Sequence, residues 1–377
     1  MRATVLRDPA LVKVAGRFVW LEIDTEQPSS AAFLERFPIE VWPTFLVLDP
    51  ATEKPVLKWL GTATAKDLAK LLADGERAAK AGEGDSAEAL LARADRANAA
   101  GGTQEAVDLW RQALAKGGPG WARRARVVES LVLGLQATHA NEACATLALE
   151  QAPGLARGQS FANVVSVGLS CALSGGVEAW AAPAVAALEP LAREAVELPG
   201  VLADDRAGLY EGLVGAAEAR KDEPGRKRLA EAWWSFLVAA RAKGATAEAR
   251  TMHDSWIVGA ALALDDPGRA IPLLQASERA APRDYNPPYR LAVLYLELKR
   301  YPEALAASER ALARAYGPRK LRVLSQLATI QEERGDTAAA RRVLEDAVAY
   351  AATLPPSQRN EKLEQRLQSR LAKLGGG

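Results

Sequence analysis

An excess of charge of either sign is missing from this sequence: 48 lysines and arginines face 47 aspartates and glutamates, a net of +1. So balanced a chain offers no electrostatic footing for nucleic acid or for an anionic membrane. Cysteine is scarce. Cys144 and Cys171 lie far apart in alanine-rich stretches, so the chain contains neither a CxxC redox pair nor a zinc knuckle. Two buried thiols are expected, because free cysteine behaves as a small apolar side chain; a structural disulfide is the alternative. His139 lies near Cys144 in "HANEAC" and His253 stands alone, too few candidates for a metal site. No metal and no cofactor is expected. Long apolar runs are absent as well. The longest uncharged stretch, Gly158 to Val177, carries Gln159, Asn163 and several serines and glycines. That composition argues against a membrane span and predicts a buried helix ending at "SGG". Charges at Arg2, Arg7, Asp8, Lys13 and Arg17 stand where a signal peptide would be apolar.

What is present is alanine, leucine and length. At 377 residues the chain exceeds one ordinary core, which predicts two domains or a repeat array. The first part alternates strand with helix. "RFVWLEID" (17–24) reads as a strand and "SSAAFLERF" (29–37) as a helix with a serine cap. "TFLVLD" (44–49) and "VLKWLG" (56–61) read as antiparallel strands joined by the "DPATEKP" turn, 49–55. "TAKDLAKLLADG" (64–75) reads as a helix capped by Thr64 and ended by Gly75.

The order strand, helix, proline-entered strand, hairpin strand, helix resembles the thioredoxin fold. "FVWLEIDTE", "FPIEVWPTFLVLD" and "KWLG" carry the likeness. The resemblance implies a cis Pro43, with Trp42 and Thr44 beside it as a substrate-binding loop. It also implies a central strand and a CxxC before the first helix, and neither is present. Without a thiol the domain as numbered performs no dithiol chemistry. The missing elements are expected upstream of Met1. In that case a signal peptide would also lie upstream and the periplasm would be the compartment; the cytoplasm is the alternative for the chain as numbered.

"GERAAKAGEGDSAE" (75–88) reads as a linker. Beyond it, "LAVLYLELKRYPEALAASERAL" (291–312) and "LATIQEERGDTAAARRVLEDAV" (327–348) share a helix–turn–helix plan, with turns at Arg300–Pro302 and Gly335–Asp336. Ala270, Ala304 and Ala340 stand at a period near 34 residues, and these units resemble tetratricopeptide repeats. A further repeat is expected at 89–114 with Leu90, Ala94, Ala97, Ala106, Trp110 and Ala113. Between 119 and 245 helical hairpins continue while the consensus fades, and Trp233 and Trp234 are expected in the core. Leu363, Leu367, Leu371 and Leu374 form one stripe on a charged helix, which suits a capping helix; a coiled-coil seam is the alternative.

The expected organisation is a partial α/β thioredoxin-like domain over 1–75, a linker over 76–88, an all-α solenoid over 89–354 and a capping helix and tail over 355–377. Repeat arrays of this family present a groove to proteins or peptides. The matching groove positions are Asn286, Tyr289, Val293 and Leu296 in one repeat and Arg322, Ser325 and Thr329 in the next. This set lacks the basic and amide residues of the family's carboxylate clamp, which implies a neutral, partly apolar ligand. Tyr289 is its aromatic anchor or packs on Pro287. The expected role is a protein-interaction scaffold; the alternative is a thiol–disulfide oxidoreductase whose CxxC lies upstream.

Overall fold

A short β-hairpin is built around Asp49. In the computed structural model, which describes residues 5–39, 41–80, 82 and 84–375, the Asp49 carboxylate accepts from the Ala51 N–H at 3.1 Å and the Thr52 hydroxyl at 2.8 Å. The turn so closed joins β1 (Thr44–Leu48) to β2 (Pro55–Leu60), antiparallel, with Phe45 opposite Trp59 and Val47 opposite Leu57. Among the described residues this is the whole sheet. The expected strand over 17–24 does not form: Val19 is 90% and Leu21 75% exposed, and neither strand pairs with the segment. An extended run without a ladder partner must leave its backbone groups to water. Met1 to Thr4, Glu40, the linker positions Ala81 and Glu83, and the tail glycines Gly376 and Gly377 lie outside the described residues.

Helices account for most of the rest. Two short ones, α1 (Val12–Ala15) and α2 (Ala31–Arg36), precede the hairpin. Ser30 does not cap α2; its hydroxyl instead donates to the Asp24 carbonyl at 2.7 Å. After the hairpin comes α3 (Ala65–Lys80), whose N-terminus Thr64 does cap, its hydroxyl accepting from the Asp67 N–H at 3.1 Å. Gly75 does not end this helix, contrary to the expectation from sequence. It is buried within α3, where a Cβ would sit 2.8 Å from the Val47 Cγ1. The glycine lets helix and strand approach, so α3 runs on into the expected linker. Leu57, Trp59, Leu68, Leu71 and Leu72 form the core here, together with Val5 and Leu11.

The chain continues through α4 (Ala87–Ala99), α5 (Thr103–Gly117), α6 (Arg124–Ala137), α7 (Asn141–Gln151), α8 (Gln159–Ser174), α9 (Ala181–Glu197), α10 (Ala203–Ala219) and α11 (Glu223–Ala242). It ends with α12 (Ala247–Thr251), α13 (Asp254–Ala263), α14 (Ile271–Ala280), α15 (Asn286–Glu297), α16 (Tyr301–Leu312), α17 (Gly317–Glu333), α18 (Thr337–Thr353) and α19 (Glu361–Gly375). Six first helices stop in the same way. Gly101, His139, Lys221, Asp265, Lys299 and Gly335 each take a positive φ, and the next N–H bonds back to the carbonyl five residues earlier at 2.8 to 3.0 Å. This 6→1 closure uses orphan carbonyls at the helix end and reverses the chain into the second helix. It recurs between 119 and 245, where the repeat consensus fades, so the hairpin plan persists there without the consensus residues. His139 serves as one of these turn residues through its backbone.

By contacts the chain gathers into two compact units, residues 1–19 with 41–237 and residues 20–40 with 238–377. In the first, Cys144 of α7 and Cys171 of α8 are joined in a disulfide with Cα atoms 6.2 Å apart, so the two free thiols expected from sequence are corrected. Facing alanine-rich helices bring the two side chains together, which no local pattern announces. Trp233 and Trp234 are buried, as expected. In the second unit Ala304 and Ala340 are fully buried at the hairpin contacts. Leu363, Leu367, Leu371 and Leu374 close over Leu321, Leu324, Ala328 and Leu344, so α19 packs its apolar stripe against α17 and α18. Among the described residues no helix is long and apolar enough to cross a membrane.

Candidate functional site

The helix α15 opens with Asn-Pro-Pro, whose fixed φ values suit a first turn. Along it Asn286, Tyr289, Val293 and Leu296 recur at steps of three and four, which places them on one side of the helix. All four are half-buried. Asn286 Nδ2 donates to Asp284 Oδ1 at 2.8 Å. The Tyr289 ring lies 6.0 Å from that of Tyr285 and packs on the cluster of Tyr285, Ala311 and Val323, while its carbonyl accepts from Gln326 Nε2 at 3.2 Å. Burial pushes the Tyr289 hydroxyl above its ordinary range.

The equivalent positions one repeat on are occupied from within the chain. Arg370 of α19 donates from Nη1 to Ser325 Oγ at 3.3 Å and from Nη2 to Thr329 Oγ1 at 3.0 Å, and pairs with Glu332 at 2.7 Å. Arg322 pairs with Glu26. Glu26 belongs to the segment 20–40, which lies against this end of the array in the second unit. Arg319 pairs with Glu26 and, at 3.3 Å, with Asp24, and the Tyr316 hydroxyl donates to Asp24. Gln358 Nε2 donates to the Thr25 and Gln27 carbonyls at 2.9 and 2.6 Å, and Ser357 Oγ to that of Ala31 at 3.0 Å. Gly317, at a φ of +51°, leaves room that a Cβ would fill, 2.1 Å from the Glu26 carbonyl oxygen. Burial raises the Asp24 carboxyl, but the Tyr316 hydroxyl, the Glu26 N–H and the Arg319 guanidinium outweigh it and hold it below its ordinary value.

In the first unit the Trp42–Pro43 bond is cis. Trp42 is exposed, the Pro43 carbonyl accepts from the Gly61 N–H at 2.8 Å, and the Thr44 hydroxyl donates to the Val41 carbonyl at 2.6 Å. Sequence reasoning missed a half-buried polar chain in this unit, anchored on the buried Glu129. Asn163 Nδ2 donates to Glu129 Oε1 at 2.6 Å, Gln159 Nε2 donates to Asn163 Oδ1 at 2.8 Å and to Asp205 Oδ2 at 2.6 Å, and the Thr62 hydroxyl reaches Asp205 at 2.7 Å. Burial lifts the Glu129 carboxyl to about 7 and the Asp205 carboxyl to about 6. The signal was Gln159 and Asn163 themselves, two amides on a helix otherwise apolar enough to be buried. Among the described residues no three histidine, cysteine or acidic side chains converge as metal ligands.

Residues 285–352 match the tetratricopeptide-repeat family model. No curated protein matches the chain significantly. Similar solved structures include a tetratricopeptide repeat protein from Parabacteroides merdae, at 13% identity and a TM-score of 0.48, covering 78% of this chain and 100% of that one. The assembly chaperone of RpL4, Acl4, is 16% identical with a TM-score of 0.37, covering 76% and 97%. The TPR2AB domain of yeast Sti1, in its pHSP90 complex, is 14% identical with a TM-score of 0.30, covering 77% and 98%. Likenesses of this size carry no argument. The family match is of another kind, because it falls on the hairpins α15–α16 and α17–α18, whose small residues and turns are described above. Over residues 285–352, then, the array matches tetratricopeptide repeats in both its sequence and its paired-helix plan.

Proposed function

We propose that this chain is a protein-interaction scaffold whose second unit holds an extended or helical peptide segment against Asn286, Tyr289, Val293 and Leu296. The observation that carries the reading is the half-buried side of α15 within the matched repeats, next to α17 positions already taken by Arg370 and Glu26. Val293 and Leu296 favour a neutral, partly apolar ligand. A peptide-array survey of the full chain tests this, repeated with Val293→Asp and with Tyr289→Ala. Loss of the captured peptides in Val293→Asp, with the fold retained by circular dichroism, supports the site; unchanged capture by both variants removes it.

A thiol–disulfide oxidoreductase is the second reading, favoured by the antiparallel hairpin β1–β2 followed by α3. Trp42, Pro43 and Thr44 would then border the substrate. Because this sequence has no CxxC and both of its cysteines are fully buried, insulin reduction by the chain itself should be absent on either reading, and turnover would overturn the scaffold assignment. The Cys144–Cys171 pair also supports an oxidising compartment, of which the periplasm is the one we favour.

A further inference from the structure

The first unit contains a cavity of about 300 Å³ lined from the end of β2, from α3, from α6 and from α8. Its charged wall is a cluster of three guanidinium groups around one buried carboxylate. Asp74 of α3 is 6% exposed and is paired with Arg77, with Arg123 Nε at 3.2 Å and with Arg126 Nε at 3.3 Å. Arg123 also reaches the exposed Glu88 at 2.9 Å, and Arg126 the buried Asp95 at 2.8 Å. Lys70, a fourth cation on the wall, pairs with Asp67 at 3.1 Å.

Asp74 meets one nitrogen from each of three five-donor groups, which leaves most of their donors to other acceptors. The shortfall is visible at Arg126. Its side chain is 12% exposed, and its buried Nε and Nη1 donate no hydrogen bond among the described residues, Nε lying 3.3 Å from Asp74 as an ion pair only. A buried donor left without an acceptor is costly, and the acceptor that suits a guanidinium best is a second carboxylate or another oxyanion. The rest of the lining is of a different kind. Trp59, Ala63 and Leu71 make an apolar wall, and Glu129, Ser160 and Asn163 supply hydrogen-bonding groups. Arg123 and Glu129 are six residues apart on or beside α6, which sets them about 9 Å apart along the helix axis.

We propose that this cavity binds a small organic carboxylate, its anionic group on Arg123 and Arg126, its apolar part on Trp59 and Leu71, and a hydrogen-bonding group toward Glu129 and Ser160. Such a ligand supplies the acceptor that Asp74 cannot. The site is separate from the peptide-binding face on α15, and neither reading rests on the other.

Isothermal titration calorimetry on the full chain tests the assignment with three probes: N-acetyl-L-leucine, its uncharged amide N-acetyl-L-leucinamide, and inorganic phosphate. The acid should bind saturably, the amide about tenfold or more weaker, since it lacks the charge-assisted bonds. Arg123→Gln should lose about tenfold toward the acid while leaving the amide unchanged, with Arg111→Gln, on the exposed side of α5, as the control. Should Arg123→Gln fail to fold, Arg123→Lys, which keeps the charge beside Asp74 and loses the forked pair of donors, takes its place with the same expected direction. Equal binding of acid and amide, an unaltered affinity in the folded arginine variant, or no saturable binding of the acid would each overturn the proposal. Binding of phosphate in preference to the acid would overturn the carboxylate assignment.

Discussion

Glu129 shows what a single buried side chain does to this protein. Its side chain is buried in the first unit and holds its proton to about 7 in the native state, against 4.5 for the ordinary group, because burial penalises the charge more than Asn163 and Ser160 relieve it. Between those two values the folded chain carries a proton that the unfolded chain has lost. Stability must therefore fall as pH rises from about 4.5 to about 7 and level off above, by ~3 kcal/mol in all. Asp205, lifted to about 6 by burial, adds a slope of the same sign at lower pH. Glu129→Gln keeps an acceptor for Asn163 and removes the titration. Urea denaturation should find the variant more stable than the parent at pH 8 and the difference shrinking toward pH 5; parallel pH profiles would show that Glu129 does not titrate in the fold. Little of this was legible in advance. Gln159 and Asn163 could be picked out as amides in an uncharged run, but their partners Glu129 and Asp205 lie 34 and 46 positions away, beyond the reach of any local pattern.

At the scale of elements, hairpin boundaries were the most legible feature, because helix ends obey local rules. The turn at Gly335 falls where it was expected, the one expected at Arg300–Pro302 closes slightly earlier at Lys299 with Tyr301 and Pro302 already in α16, and Thr64 caps α3 through its own hydroxyl. Gly75 was misread for a physical reason: glycine marks helix ends through φ, but it also marks close approach, and the sequence alone does not separate the two. The distinction can be measured. An exposed mid-helix glycine replaced by alanine gains ~1 kcal/mol. Gly75→Ala should instead lose ~1–3 kcal/mol, since the new Cβ meets Val47 of β1 at 2.8 Å. A melting temperature that rises would return Gly75 to the role of a helix breaker. The segment 17–24 failed in the opposite sense: its apolar, β-branched composition satisfies strand propensity, but a strand is defined by its neighbour, and among the described residues none pairs with it.

For the molecule as a whole, what matters is which surfaces of each unit are already taken. In the second unit the acidic segment around Asp24 and Glu26 lies against Tyr316, Arg319 and Arg322, an association between residues almost three hundred positions apart that no repeat period foretells. Glu26→Lys should set like charges against both arginines and accelerate hydrogen exchange at residues 24–31 while α17 keeps its protection; unchanged exchange there would mean that Ser357 and Gln358 hold the segment unaided. The capping helix, by contrast, was legible from its leucine stripe, because the pattern that makes α19 amphipathic is the same one that closes the core. The central claim is that the array works by holding a partner peptide against α15. Hydrogen-exchange mass spectrometry of the full chain, with and without a peptide from the array survey, addresses it most directly. The account predicts new protection concentrated at residues 286–297. Protection confined to α16 and α18, with α15 unaltered, would contradict it.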